Sequence, residues 1–345
     1  MAEAITIVGG GLAGLTLGIA LRRCDVPVII REAANYPRHR VCGEFISGQG
    51  QRVLDGLGLL KTLRESGAAV PAARVAFYNA DSRLALRALP QPALCISRFV
   101  LDEFLARQFQ RLGGKLNTDC RWVDGFGPGT VRATGRRIEP AANGWRLFGL
   151  KVHASQVALD ADLEMHFVPD GYVGICRLPG SEVNICGLFR SGKAVPDLGI
   201  RWRDWLGGVQ GSILRRRLEG ALMDESSFCS VAGLSLRPHH AGSHEECCIG
   251  DALTMIPPVT GNGMSMALES ADLAAPSLVR FSRGELAWAE ARHEIASCCD
   301  RRFAGRLRWS AWLQQALFQK STRAVLLFVA ARSETLWRRV FEHTR

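Results

Sequence analysis

Apolar and polar positions alternate along this chain with two different periods. Ile5-Thr6-Ile7-Val8 is a short buried-strand run, Gly9-Gly10-Gly11 breaks it, and Leu12-Ala13-Gly14-Leu15-Thr16 starts a helix. A second apolar run, Val26-Pro27-Val28-Ile29-Ile30, follows one helix length later and ends in Arg31-Glu32. Strand, turn, helix and strand predict a βαβ-type unit over residues 4–32. Helix-like segments follow over Gln49–Leu60 and after Lys61. Residues 72–89 alternate around Asn79-Ala80-Asp81-Ser82, which predicts a hairpin. Ser97 can cap a helix from Arg98 to about Leu112, closed by Gly113-Gly114. Strand-like runs come near Lys115–Asp124, Val131–Ala133 and Trp145–Ala154, and residues 154–189 are β-rich. Trp202–Leu222 reads as helix, 228–236 as strand, Cys247–Asp251 as a short strand and Asn262–Val279 as helix. The remainder to Arg345 has helical periodicity, in which Trp309, Trp312, Leu313, Ala316 and Leu317 read as core. The alternation predicts an α/β fold (α+β overall). A Rossmann-like domain with a mainly parallel sheet is interrupted by an inserted antiparallel β-sheet substrate domain and followed by C-terminal helices.

The glycines of the first turn carry chemistry. Gly9, Gly11 and Gly14 stand in G-x-G-x-x-G spacing. The first allows a sharp exit from the strand, the second lets a pyrophosphate approach the backbone, and the third lets helix and strand pack closely. The helix N-terminus offers free N–H groups to phosphates. Glu32, at the end of the second run, stands where such a fold places an acceptor for a ribose hydroxyl. A second constellation lies far downstream, in Gly250-Asp251 and in Pro257-Pro258-Val259-Thr260-Gly261-Asn262-Gly263-Met264. Asp251 follows a strand and can accept from a sugar-alcohol hydroxyl. Gly261, Asn262 and Gly263 open a helix whose N–H groups favour negative charge.

Composition narrows the classes. The 345 residues are 47% hydrophobic with 36 glycines, enough for a sizeable core. The first strand begins within a few residues of Met1, leaving no room for a signal peptide, and no run of 18 apolar residues predicts a membrane span. Eleven cysteines, none at zinc spacing, predict reduced thiols, a cytoplasmic location and no metal. Of the net charge of +10, much lies in residues 301–345, which hold ten Lys or Arg against Glu334 and Glu342. A solvated helical face is the plain reading. The alternative is a peripheral contact with anionic membrane or an acidic partner. No nucleic-acid reading module is present.

The fingerprint, the late Gly-Asp and the Pro-Pro-x-x-Gly-Asn-Gly-Met loop resemble flavoproteins of the p-hydroxybenzoate-hydroxylase fold. Val41-Cys42-Gly43-Glu44-Phe45-Ile46-Ser47 is similar to the Cys-Gly-Glu segment of the geranylgeranyl-reductase-like branch, and Ser97-Arg98-Phe99-Val100-Leu101-Asp102 to a helix start whose Arg lies near FAD. The resemblance implies FAD as cofactor, held by Gly9, Gly11, Leu12, Ala13, Gly14, Glu32, Arg40, Cys42, Gly43, Arg98, Asp251, Pro258, Gly261, Asn262, Gly263 and Met264. It implies an FAD-binding domain from residues 1–71, 95–151 and 233–285, a β-rich substrate domain from 72–94 and 152–232, and a basic helical segment over 286–345. Cys42 and Tyr172 are candidate catalytic residues, the thiol as a proton donor and the phenol orienting substrate. On the plainer readings Cys42 is a packing residue and Tyr172 a core tyrosine, and Glu44 is either an acid/base group or a turn residue. Ala133-Thr134-Gly135-Arg136 replaces the hydroxylases' Asp-Gly motif, which bears on NAD(P)H as transient electron donor. The halogenases' W-x-W-x-I-P motif is absent. The expected function is flavin-mediated redox on a hydrophobic small molecule, by C=C reduction, dehydrogenation or hydroxylation. An NAD(P)H-dependent aromatic monooxygenase and a non-catalytic flavin-binding partner protein are the alternatives.

Overall fold

A computed structural model describes residues 2–136, 144–193, 195, 198–319, 322–323 and 332–344. The parts of the expected C-terminal helical segment at 320–321, 324–331 and 345 lie outside the described residues. In chain order the elements are β1 (Ile5–Val8), α1 (Leu12–Arg22), β2 (Val28–Arg31), β3 (Phe45–Ile46), α2 (Gln49–Gly56) and α3 (Leu60–Glu65). There follow β4 (Val70–Asn79), β5 (Ser82–Cys95), α4 (Arg98–Arg111), β6 (Lys115–Asn117), β7 (Thr130–Arg132), β8 (Arg146–Ser155) and β9 (Leu163–Val168). The chain continues through β10 (Gly171–Arg177), β11 (Val183–Ser191), α5 (Leu198–Leu206), α6 (Ile213–Leu218) and β12 (Leu222–Ala232). It ends with β13 (Cys247–Cys248), α7 (Gly263–Ser282), α8 (Trp288–Phe318) and α9 (Glu334–His343).

Two sheets result. The first is five-stranded and wholly parallel, in the order β13-β7-β1-β2-β6. Its strands are short, the central β1 and β2 are predominantly apolar, as parallel strands covered by helices are, and Ile5, Ile7 and Ile30 are fully buried. Against it lies α1, which also meets α4 and α7. The second sheet has eight strands, in the order β12-β8-β11-β10-β9-β4-β5-β3. Neighbours run antiparallel except β4 and β9. The hairpin expected around Asn79–Ser82 is β4–β5, with Ala80 at φ 53° in its turn.

Alternation in β8 divides the second sheet into two faces. Phe148, Leu150, Val152 and Ala154 join an apolar cluster with Trp202, Leu206 and Leu214 of α5 and α6. Lys151 and His153 occupy the intervening positions, yet they too are buried. That second face is covered from the side of the parallel sheet, by the loop between β2 and β3.

Several expectations are corrected. The helix read over Trp202–Leu222 is two helices, because Gly208 and Gly211 take φ of 72° and 76° between them. Strand β12 therefore starts at Leu222 rather than at 228. The run expected over Lys115–Asp124 is a strand only to Asn117, and Asp119 turns with φ 50°. Trp309 and Trp312 are not core: they are 42% and 53% exposed, while Leu317 of the same helix is buried. Positions 71/72, 94/95 and 151/152 lie within strands β4, β5 and β8. Among the described residues no helix is long and apolar enough to cross a membrane.

Candidate cofactor cleft and its buried flank

Each fingerprint glycine is required for a different reason. At Gly9, φ is 108° and a Cβ would lie 2.3 Å from the Ala133 carbonyl oxygen. At Gly14 it would lie 1.9 Å from the Gly9 carbonyl oxygen, so helix and turn touch backbone to backbone. At Gly11 it would meet nothing within 4 Å. The middle glycine thus borders open space, at the N-cap of α1, where no side chain caps the helix. Leu12 and Ala13 are buried, so what they present to that space is backbone N–H.

Glu32 closes the turn from the other side. Its Oε2 accepts from the Gly10 N–H at 2.7 Å, and its Oε1 from the Ala34 N–H at 3.0 Å and Arg38 Nη1 at 2.8 Å. Burial alone would raise its carboxyl. The Arg38 bond and charge, with the two N–H groups, outweigh that and hold it below its ordinary value. Arg38 is less expected. Its Nε and Nη2 are buried without a partner, two guanidinium donors waiting for an oxygen-rich ligand.

The cleft continues through the start of α4. The Ser97 hydroxyl caps the helix by accepting from the Phe99 N–H at 3.1 Å. Arg98 donates through Nε and Nη2 to the two oxygens of the fully buried Asp102, each at 2.7 Å. Burial opposes the Arg98 charge, but Asp102 more than offsets it and its pKa is raised. Arg40 reaches Asp102 at 3.9 Å. Burial pushes the Cys42 thiol up against the pull of Arg98, so it stays protonated near neutrality. Asp251 is solvent-accessible but stands in a recess. The surrounding protein raises its carboxyl against Arg98, Arg136 and Arg40. Arg136 and Asp251 share a cavity of about 280 Å³. Gly43 lies by the Phe45 ring, and Gly261 (φ 62°) would drive a Cβ to 2.0 Å from it.

The late loop is tied down at both ends. Pro258 opens a single helical turn and is exposed, and Gly263 opens α7, followed by the buried Met264. Asn262, fully buried, donates through Nδ2 to the Thr344 carbonyl at 2.8 Å, which leaves its Oδ1 unpartnered. Thus the early turn, α4, Asp251 and the late loop supply an open backbone approach, unpaired donors and a recessed carboxylate. Those are the groups a dinucleotide-sized, phosphate-bearing cofactor needs, and FAD fits them.

Behind the cleft lies a flank the sequence did not announce. Glu44, at φ 59° and fully buried, accepts from the Arg98 N–H at 2.9 Å. It also meets His153 Nε2 at 2.7 Å and Lys151 Nζ at 3.6 Å. Lys151 Nζ lies 3.0 Å from His39 Nδ1, and the His39 ring stacks on Phe99 at 4.5 Å. Burial and the Lys151 charge press the His39 pKa down from 6.5 to about 4. Glu44 is therefore no simple turn residue. Tyr172, the other candidate catalytic residue, sits in an apolar cluster with Phe167, Leu188, Val259 and Leu317. Its hydroxyl donates to Gln314 Oε1 at 3.2 Å, and burial raises its pKa well above the ordinary value. Cys186 stands within electrostatic reach of both Tyr172 and Cys42. Arg38, Asp102, Lys151 and His153 were missed; only Asp102, four residues after Arg98 on a predicted helix, carried a spacing signal.

Comparison with known proteins bears on this geometry. Residues 2–123 match the family of FAD binding domains. The chain is similar to Monooxygenase 1 of Arabidopsis thaliana, 35% identical over 103 residues, 30% of this chain and 26% of that protein. It spans 26% and 63% of the lengths of two curated relatives it matches. Among solved structures it is similar to Pseudomonas aeruginosa PqsL in complex with 2-aminobenzoylacetate, at 16% identity and a TM-score of 0.71, over 96% of this chain and 99% of that one. It is also similar to halogenase PltM in complex with phloroglucinol and FAD, at 14% identity and a TM-score of 0.75, over 96% of this chain and 79% of that one.

Proposed function

We propose that this chain, an FAD-binding protein with the p-hydroxybenzoate-hydroxylase fold, is a monooxygenase acting on an apolar, ring-bearing small molecule. The observation that carries the reading is the open approach at Gly11 beside the two unpaired Arg38 donors. FAD, once bound, supplies electron transfer and the activation of O2. The chain's own residues bind and orient. Glu32, ionised, would accept from ribose hydroxyls, and Arg38 would donate to oxygens of the adenosine half. The free N–H groups at Leu12 and Ala13 would hold the pyrophosphate. Asp251 would accept from the sugar-alcohol chain, and Arg98, held by Asp102, would supply positive charge to the cofactor. The N-terminus of α7 at Gly263 would favour negative charge on the bound flavin. The apolar cluster around Tyr172 supplies a dry wall for substrate. Support for oxygenation comes from the monooxygenase relative, and support for a ring-bearing substrate from the ligands of the two solved neighbours. NAD(P)H is the proposed electron donor.

A second reading, C=C reduction of the geranylgeranyl-reductase type, is favoured by the protonated Cys42 thiol, which can hand its proton to a carbon centre. Anaerobic turnover with reduced FAD separates the two. The monooxygenase yields product only when O2 is admitted, and product formed without O2 overturns it in favour of the reductase. Purified protein that takes up no FAD overturns both.

A further inference from the structure

The outer helices carry a second surface that the cofactor cleft does not use. Along α8, Arg301, Arg308 and Trp312 recur on one outward row, with Trp309 on the next. With His343 of α9 they border an open recess of about 720 Å³. The charge there is not balanced. Glu269, the carboxylate beneath, is taken up by Arg306 through two bonds at 2.7 Å and by Arg302 at 3.2 Å. Arg301 contacts the Cys298 sulfur at 3.4 Å, and neither Arg301 nor Arg308 has an acidic partner among the described residues. The two indoles meet edge to face at 5.8 Å and face solvent, 42% and 53% exposed.

Two arginines without an acidic partner among the described residues, beside two exposed tryptophans, suit one kind of partner. An indole has an apolar ring and a polar N–H, and it settles at the headgroup level of a bilayer. Arginine pairs with lipid phosphate or carboxylate through its planar fork. A small-molecule site would enclose most of its ligand, whereas this recess is shallow and both rings project outward. We propose that this face of α8 and α9 rests on an anionic phospholipid membrane, with Trp309 and Trp312 at headgroup depth and Arg301 and Arg308 on the lipid charges. The contact is peripheral, consistent with the absence of a spanning helix among the described residues.

The test uses the full FAD-loaded chain and sedimentation with vesicles of phosphatidylcholine, alone or with roughly a third phosphatidylserine. The expected result is binding to the anionic vesicles, weakened by salt, with a blue shift in tryptophan emission. Each arginine at the surface is worth roughly fivefold in partitioning, so Arg301→Glu with Arg308→Glu should lower binding by at least about 30-fold. Trp309→Ala with Trp312→Ala should remove the blue shift. All four sites are exposed, and unchanged FAD content in the variants shows that the fold is kept. Equal binding to neutral vesicles, no binding to either, or variants that bind like the parent overturns the proposal. So does a dimer in vesicle-free solution that both variant pairs dissociate, which would assign the face to a second copy of the chain. None of these outcomes depends on the reaction catalysed.

Discussion

Glu32 and Glu44 lie on the same connection between β2 and β3, twelve positions apart, and they hold the protein together in opposite ways. Glu32 gathers nearer chain: Gly10 of the early turn, 22 positions back, Ala34, the next residue but one, and Arg38 six positions on. Glu44 gathers distant chain, from Arg98 54 positions away and His153 109 positions away. Around Glu32, donors remain unpaired and a ligand completes the site. Around Glu44, Lys151 and His153 are buried and meet its carboxylate within the protein. On the proposed reading the first carboxylate organises cofactor binding; the second ties the antiparallel sheet to the start of α4.

The comparison is broken most severely at Glu44. Glu44→Ala should cost about 3–5 kcal/mol of stability, because it strands the Lys151 charge in a fully buried site. Denaturant unfolding reads this, and Glu44→Gln with Lys151→Met should be more stable than Lys151 left alone. A loss under about 1 kcal/mol would show that Lys151 has another compensating partner. Gly11→Val comes next. A side chain there points into open space, so the apo chain should keep its melting temperature while FAD affinity falls at least about 100-fold by fluorescence titration. Gly14→Val is the control that should fail to fold.

At Glu32 the effect is smaller. Glu32→Gln should weaken FAD binding by roughly tenfold. Because the carboxyl is held below its ordinary 4.5, its contribution to stability is present above that pH and is lost as the pH falls through its lower folded value. The stability gap between parent and variant should therefore close on acidification. His39 gives a gentler slope. Its folded value near 4 lies below 6.5, so between those values the unfolded chain takes up a proton first and stability falls with pH. Melting temperatures measured from pH 7 to 4 should fall less steeply in His39→Gln. Cys42→Ala should do least. FAD affinity should stay within about twofold and turnover within about tenfold, whereas a loss of about 100-fold would favour the reductase reading.

How far the sequence could be read follows from the same contrast. The turn, α1, β2 and Glu32 were legible because each constraint acts between near neighbours and glycine geometry leaves a pattern. The hairpin and the α4 cap were legible for similar reasons. The Glu44 flank was not. In β8 the polar alternates Lys151 and His153 look like a solvated face, and only the second layer of the fold reveals that Glu44 lies over it. The exposed tryptophans of α8 misled in the reverse sense, since helical spacing alone does not say which side faces inward. Arg38 gave no signal, because nothing in the sequence shows that the loop folds back on Glu32.

One consequence concerns time rather than geometry. The parallel sheet is closed at one edge by β13, whose Cys247 and Cys248 pair with Val131 and Arg132. Asp251 and the late loop come just after. All the chain between β7 at Thr130–Arg132 and β13 at Cys247 must thus be made before the last strand can dock. Until then β7 has an open edge, and the Gly9 turn rests on Ala133 without its outer neighbour. The parallel sheet is started before the antiparallel one and finished after it. Between the making of β7 and of β13 the nascent chain carries a half-built nucleotide fold whose exposed edge invites mispairing or a chaperone.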